Sequence, residues 1–117
     1  MIHEAQAREI LDYVGTERTR QDAKWGEQNH PPRDWISILA EEFGEAAMGA
    51  NKLTFGGDSD ERIFDYCLEL IETAAVAVAA VESLRRNLTP EQNFKLGLDL
   101  ITWNDKIEDA WEAKHPT

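Results

Sequence analysis

The sequence predicts an all-α protein, a four-helix-bundle-like domain whose helices pack across a homo-oligomer interface. Three observations carry this expectation. Apolar residues recur at helical spacing in four stretches separated by Gly- and Pro-containing breaks. No stretch alternates apolar and polar residues between turn signals, so no strand is assigned. The stretch 63–84, IFDYCLELIETAAVAVAAVESL, is so apolar that neighbouring helices are wanted on several of its sides. A chain of 117 residues can bury one core, and a single domain over 1–117 is expected.

The first helix is expected over residues 2–24, with Ile2, Ala5, Ile10, Tyr13 and Val14 on its apolar side and Gly15 weakening its middle. Gly26, Pro31 and Pro32 then rule out continuous helix through WGEQNHPPRDW, residues 25–35. Asp34 is read as the N-cap of a second helix carrying Trp35, Ile38, Leu39, Phe43, Ala46 and Ala47 and running to about Lys52. The connection LTFGGDSD follows, in which Asp58, Ser59 or Asp60 can cap a third helix that ends near Asn87. Thr89 with Gln92 forms a capping-box pattern, and Pro90 falls at the first helical position, where its missing N–H does no harm. Helix four, 90–114, is amphipathic through Phe94, Leu98, Ile101 and Trp111. The Ala-rich half of helix three, 74–80, allows close backbone approach, either to a second subunit in a homodimer or homotetramer or to helices of the same chain.

Twelve Lys and Arg against 23 Asp and Glu leave a formal charge of −11, which repels phosphate backbones and argues against nucleic-acid binding. An acidic protein that handles nucleotides therefore needs metal ions to bridge to phosphate. Cys67 is the sole cysteine, so no intramolecular disulfide forms, and it is read as a small core residue. The apolar run 74–81 is far short of the ~20 residues that span a membrane. The N-terminal MIHEAQAREI has no apolar signal core, so the expected compartment is the cytoplasm.

The chemistry concentrates in carboxylates. Helix two carries Glu41, Glu42 and Glu45; helix three carries Glu69 and Glu72 with apolar residues around them and no Lys or Arg within 63–84. Residues three apart on a helix share a face, so Glu42 with Glu45 and Glu69 with Glu72 are two pairs, each able to point at one spot. Antiparallel packing of the two helices can bring the pairs together. Converging carboxylates repel, whereas Mg²⁺ accepts oxygen ligands and keeps waters and substrate phosphates in its shell. The cluster is a candidate Mg²⁺ site, with Mn²⁺ as a substitute.

Among the other residues, Trp25, Gln28, Asn29 and His30 can read a base by stacking and amide hydrogen bonds, or Trp25 plugs the end of the bundle. Lys24, Lys52, Arg62, Arg85 and Arg86 can meet phosphate oxygens, or they are solvated helix-end charges. The Glu-x-x-His spacing of di-iron bundles occurs at Glu27 with His30 and at Glu112 with His115. The first lies in a Gly- and Pro-bounded loop and the second at a fraying end, so neither can line a bundle core.

The stretch Glu41-Glu42-Phe43-Gly44-Glu45, followed after a glycine-containing loop by Glu69-Leu70-Ile71-Glu72 and an Ala/Val-rich tail, resembles the MazG-like branch of the all-α nucleoside triphosphate pyrophosphohydrolases. That family has Glu-x-x-Glu on one helix and Glu-x-x-Asp on the next; here Glu72 stands where the Asp is. The run from Arg20 through Lys24, Trp25 and Gly26 to His30 is also similar to the N-terminal segment of small phage and bacterial members. The similarity covers about residues 17–86 and leaves 87–117 unmatched. It implies hydrolysis of a nucleoside triphosphate between the α and β phosphates, giving the monophosphate and pyrophosphate. Glu42, Glu45, Glu69 and Glu72 would hold the metal, and Glu41 or one of those four, with Glu42 and Glu45 the foremost, would hold or deprotonate the attacking water. Lys24, Trp25, Gln28, Asn29, Lys52 and Arg85 are the expected substrate-binding residues. A competing class is a non-catalytic acidic helical protein, partner-binding or DNA-mimicking, whose carboxylates are exposed and far apart.

Overall fold

Glycine and proline punctuate the chain where helix geometry fails. The computed structural model describes residues 4–115, and these form four helices and no strand: α1 Glu4–Trp25, α2 Pro32–Gly56, α3 Asp60–Arg86 and α4 Pro90–Lys114. The expected helix start at Ile2 lies outside the described residues. Gly26 ends α1 with a positive φ of 73°, and its N–H donates to the Asp22 carbonyl at 2.8 Å, a left-handed cap that glycine adopts without strain. Gly15 does not interrupt α1.

Two expected helix ends move. Asp34 does not cap α2; the N-cap is Pro31 in extended conformation, Pro32 opens the helix, and the Asp34 N–H already donates to the Pro31 carbonyl at 3.0 Å. Proline suits the first helical position because the N–H it lacks is unpaired there in any case. At the other end α2 continues past Lys52 to Gly56, stopping only where Gly57 takes φ of 94°. Ser59 supplies the cap of α3, its Oγ accepting the Arg62 N–H at 3.2 Å, while the Arg62 guanidinium donates back to the Gly56 carbonyl. One arginine thus closes the end of α2 from the start of α3.

The chain divides into two compact units, residues up to Leu84 and residues from Arg85 onward. In the first, α2 and α3 run antiparallel. Trp35 clusters with Val76 and Ala79, the Thr73 hydroxyl lies 3.4 Å from the Glu42 carbonyl, and a Cβ on Gly49 would touch the Tyr66 backbone at 3.5 Å. Ile38, Leu39 and Ala80 surround that cluster. Fully buried Ser83 ties down the α1–α2 connection: it accepts the His30 N–H and donates to the His30 carbonyl, both at 3.3 Å, while the His30 ring meets Trp35 edge-on. Helix α1 lies against α3 through Arg18, which donates to Glu82 at 2.7 Å. Within the Ala-rich half of α3, Ala75 and Ala79 pack inside the chain, while Val78, and Val81 just beyond it, remain exposed.

In the second unit the capping box forms as the residues dictate. Thr89 Oγ accepts the Gln92 N–H at 3.1 Å, and the Gln92 side chain accepts the Thr89 N–H at 2.8 Å. Arg85 and Asn93 exchange hydrogen bonds across the turn. No residue of α4 is buried, and Phe94, Leu98, Ile101 and Trp111 are exposed. Among the described residues no helix is long and apolar enough to cross a membrane.

Candidate metal centre

The antiparallel course of α2 and α3 carries Glu42 and Glu45 to the level of Glu69 and Glu72. One carboxylate oxygen of each lies within 4.8 Å of the other three. Two unit charges at that distance repel by about 3 kcal/mol at an effective dielectric of ~20, less where water screens exposed Glu45. Glu42, Glu69 and Glu72 are half-buried. Oε2 of Glu42 and Oε2 of Glu69 are buried with no hydrogen-bond donor among the described residues. A buried acceptor left in that state costs about 1–3 kcal/mol, more when charged.

The electrostatics follow from this crowding. Burial first, and then the charges of Glu45 and Glu72, raise the pKa of Glu42 above the ordinary carboxylate value. Glu69 is raised by burial and by Glu72 and Glu45. Glu72 is raised by burial and by Glu17, against which Arg20 and Lys24 pull it down. Four acceptor-only groups converging with two orphaned oxygens suit a hard divalent cation, which takes oxygen ligands. Thr73 braces the site from behind, donating to the Glu69 carbonyl at 2.7 Å beside the Glu42 carbonyl.

Sequence reasoning missed Glu17. It is 6% exposed on the face of α1 that also buries Val14 and Gln21, and its two oxygens accept from Arg20 Nε and, at 2.8 Å, from Arg20 Nη2. Arg20 Nη2 in turn stands 3.8 Å from Glu72 Oε1. The absence of basic residues from the apolar stretch of α3 is therefore made good by a neighbouring helix. The spacing of Val14, Glu17 and Gln21 was the available signal, but Glu and Gln do not register in an apolar pattern.

The remaining candidates are scattered more widely. Glu41 is exposed next to Glu42. Lys52 shares a cavity of about 340 Å³ with Glu45, Asp65 and Glu69, on the flank of the cluster. Lys24 lies over the Trp25 ring at 4.8 Å, and Trp25, 54% exposed, does not serve as the expected plug. Gln28 is half-buried, and Asn29 is exposed and donates to Glu27 at 3.0 Å. Arg85 belongs to the second unit, where Asn93 engages it. Cys67 is not a core residue: it is exposed, on the side of α3 that lines a groove with Tyr13, Phe64 and Leu68.

No family model matches this chain, and neither a curated protein nor a solved structure is found to be similar to it.

Proposed function

We propose that this chain is a Mg²⁺-dependent nucleoside triphosphate pyrophosphohydrolase, with Mn²⁺ as an alternative ion, acting on the nucleotide pool of the cytoplasm. One observation carries the reading: four carboxylates from two antiparallel helices converge, and two of their buried oxygens have no donor among the described residues. The resemblance of Glu41–Glu45 and Glu69–Glu72 to the MazG-like pattern supports it. Glu42, Glu45, Glu69 and Glu72 would hold the ion. When bound, the ion supplies charge neutralisation at phosphate oxygens and lowers the pKa of water. Glu41 is exposed beside the cluster and takes the proton of the attacking water, or one of the four does so. The water oxygen bonds to the α-phosphorus and pyrophosphate leaves with the bridging oxygen. A partner-binding or DNA-mimicking role would ask for separated, solvated carboxylates, and the half-burial and convergence of Glu42, Glu69 and Glu72 speak against it.

The decisive experiment offers a panel of ribo- and deoxynucleoside triphosphates with Mg²⁺ and scores monophosphate plus pyrophosphate separately from diphosphate plus phosphate. Release of monophosphate and pyrophosphate from at least one of them is expected. Diphosphate as the only product, or no product across the panel, would sink the assignment.

The same reading includes assembly as a homodimer or homotetramer. Ile36, Phe43, Leu70 and Val78 are exposed, and an apolar groove of about 520 Å³ runs between α2 and α3 past Leu39, Ala74 and Ala77. An apolar surface of this extent marks a contact site, and a second copy of the chain is its proposed occupant. Light scattering at micromolar concentration should return at least twice the mass of 13.3 kDa; the monomer mass would refute this part alone.

A further inference from the structure

A triphosphate is itself highly anionic, and a carboxylate cluster that holds a cation does not by itself explain how such a substrate settles beside it. Cationic side chains must share the work. Arg20 and Lys24 from α1 act electrostatically on Glu72, and Lys52 of α2 flanks Glu45 and Glu69. Arg20 differs from the lysines in how it is held. A carboxylate only 6% exposed, Glu17, grips it at both Nε and Nη2, a two-point geometry available to a planar guanidinium and not to an ammonium.

That grip leaves one edge of the guanidinium open. Arg20 is 56% exposed, its Nη1 has no partner among the described residues, and its Nη2 at 3.8 Å from Glu72 is beyond hydrogen-bonding distance. Arg18, two places away on the same helix, shows what a purely structural arginine looks like here. Its three nitrogens are all engaged, by Glu82 at 2.7 Å, Gln21 at 2.9 Å and Asp22 at 2.8 Å. Burying a carboxylate requires a tight partner; Glu17 has that partner, and one end of the partner's open edge, Nη2, stands 3.8 Å from Glu72 of the metal cluster.

We propose that Arg20, oriented by Glu17, is the polyphosphate-binding residue of this site, an inference that rests on the pyrophosphohydrolase reading for the identity of the anion. Its open Nη1–Nη2 edge donates to non-bridging phosphate oxygens beside Glu72. Glu17 is a positioning residue that acts through Arg20. The competing role for Arg20 is neutralisation of Glu72 alone. The two roles differ in what removal does: loss of a neutraliser tightens divalent-ion binding and leaves phosphate binding as it was, whereas loss of a phosphate ligand weakens the binding of the anion.

The test is calorimetric titration of inorganic pyrophosphate, and separately of Mg²⁺, into the full chain, with Mg²⁺ saturating in the pyrophosphate arm. Arg20→Gln should weaken pyrophosphate binding at least tenfold, and Arg20→Lys should recover only part of it. Glu17→Gln should weaken it severalfold, while Mg²⁺ affinity falls in none of these by more than about twofold. If Arg20→Gln does not fold because Glu17 is left buried and unpaired, the double variant E17Q/R20Q removes both charges and carries the same expectation. Pyrophosphate affinity within twofold of wild type in either variant, or no binding of pyrophosphate to the wild type with Mg²⁺, overturns the proposal. Binding is read without turnover, so a protein that binds pyrophosphate through Arg20 and hydrolyses no triphosphate would overturn the function and uphold Arg20.

Discussion

The hydroxyl of Thr73 donates to the carbonyl of Glu69 at 2.7 Å and at the same time stands 3.4 Å from the carbonyl of Glu42 on the facing helix. One small side chain therefore touches the backbones of both α2 and α3 at the level of the carboxylates. Replacing it by valine keeps the shape and removes the hydroxyl. Thr73→Val should lower stability by about 1 kcal/mol, the usual net value of such a bond, and Thr73→Ser should restore part of it. Denaturant midpoints compare the three, and a valine variant as stable as wild type would show that the hydroxyl ties nothing.

Divalent ions should stabilise the folded chain. Only there do Glu42, Glu45, Glu69 and Glu72 converge, so binding is linked to folding and amounts to about 2.7 kcal/mol at a hundredfold excess over Kd. The melting temperature should climb with millimolar Mg²⁺ or Mn²⁺ and respond far less in Glu42→Gln. Indifference of the wild-type melting curve to both ions would remove the metal site.

Changing Glu69 to Gln keeps volume and removes one negative charge. Hydrolysis should fall by orders of magnitude, since deleting a charged group that stabilises the transition state costs about 3 kcal/mol or more, while metal-free stability should rise as repulsion eases. Glu112, exposed on α4, is the control. Turnover of Glu69→Gln within about twofold of wild type, under 0.5 kcal/mol in barrier, would exclude Glu69 from the metal site.

Metal-free stability should also depend on pH in a definite sense. Burial and mutual repulsion raise the folded-state pKa values of Glu42, Glu69 and Glu72 above the 4.5 of an unperturbed Glu. Folded protein therefore holds protons that the unfolded chain has already released, and the contribution of these groups is fully present below that value and lost as pH rises through the raised ones. The stability advantage of Glu69→Gln over wild type should accordingly be small near pH 4 and larger at pH 7. Unfolding curves at the two pH values in chelator provide the comparison; an advantage that shrank with rising pH would contradict the sign.

What the chain reveals about itself is whatever helix geometry decides within a turn or two. Thr89, Pro90 and Gln92 specify their cap inside four positions, and the cap forms between those atoms. Glu42 with Glu45 and Glu69 with Glu72 are faces before any tertiary contact exists, because residues three apart on a helix always lie close together. Asp34 shows the limit even of local reading, since Asp34 and Pro32 both signal a helix start and the proline, two positions earlier, prevails.

Burial belongs to the neighbouring helix, and no periodicity within one segment states it. That the two carboxylate pairs meet follows from Trp35 packing on Val76 and Ala79, which sets α2 antiparallel to α3 and slides Glu42 level with Thr73. Glu17 and Arg20 look like an ordinary exposed i, i+3 ion pair until α3 covers the carboxylate and leaves the guanidinium open. Cys67 errs the other way: flanked by apolar residues in sequence, it lies exposed in the groove between α3 and α1, beside Tyr13. Residue type and spacing determined which groups share a face; only the packing of α1 and α2 on α3 decided which faces are dry, and therefore which charges need partners.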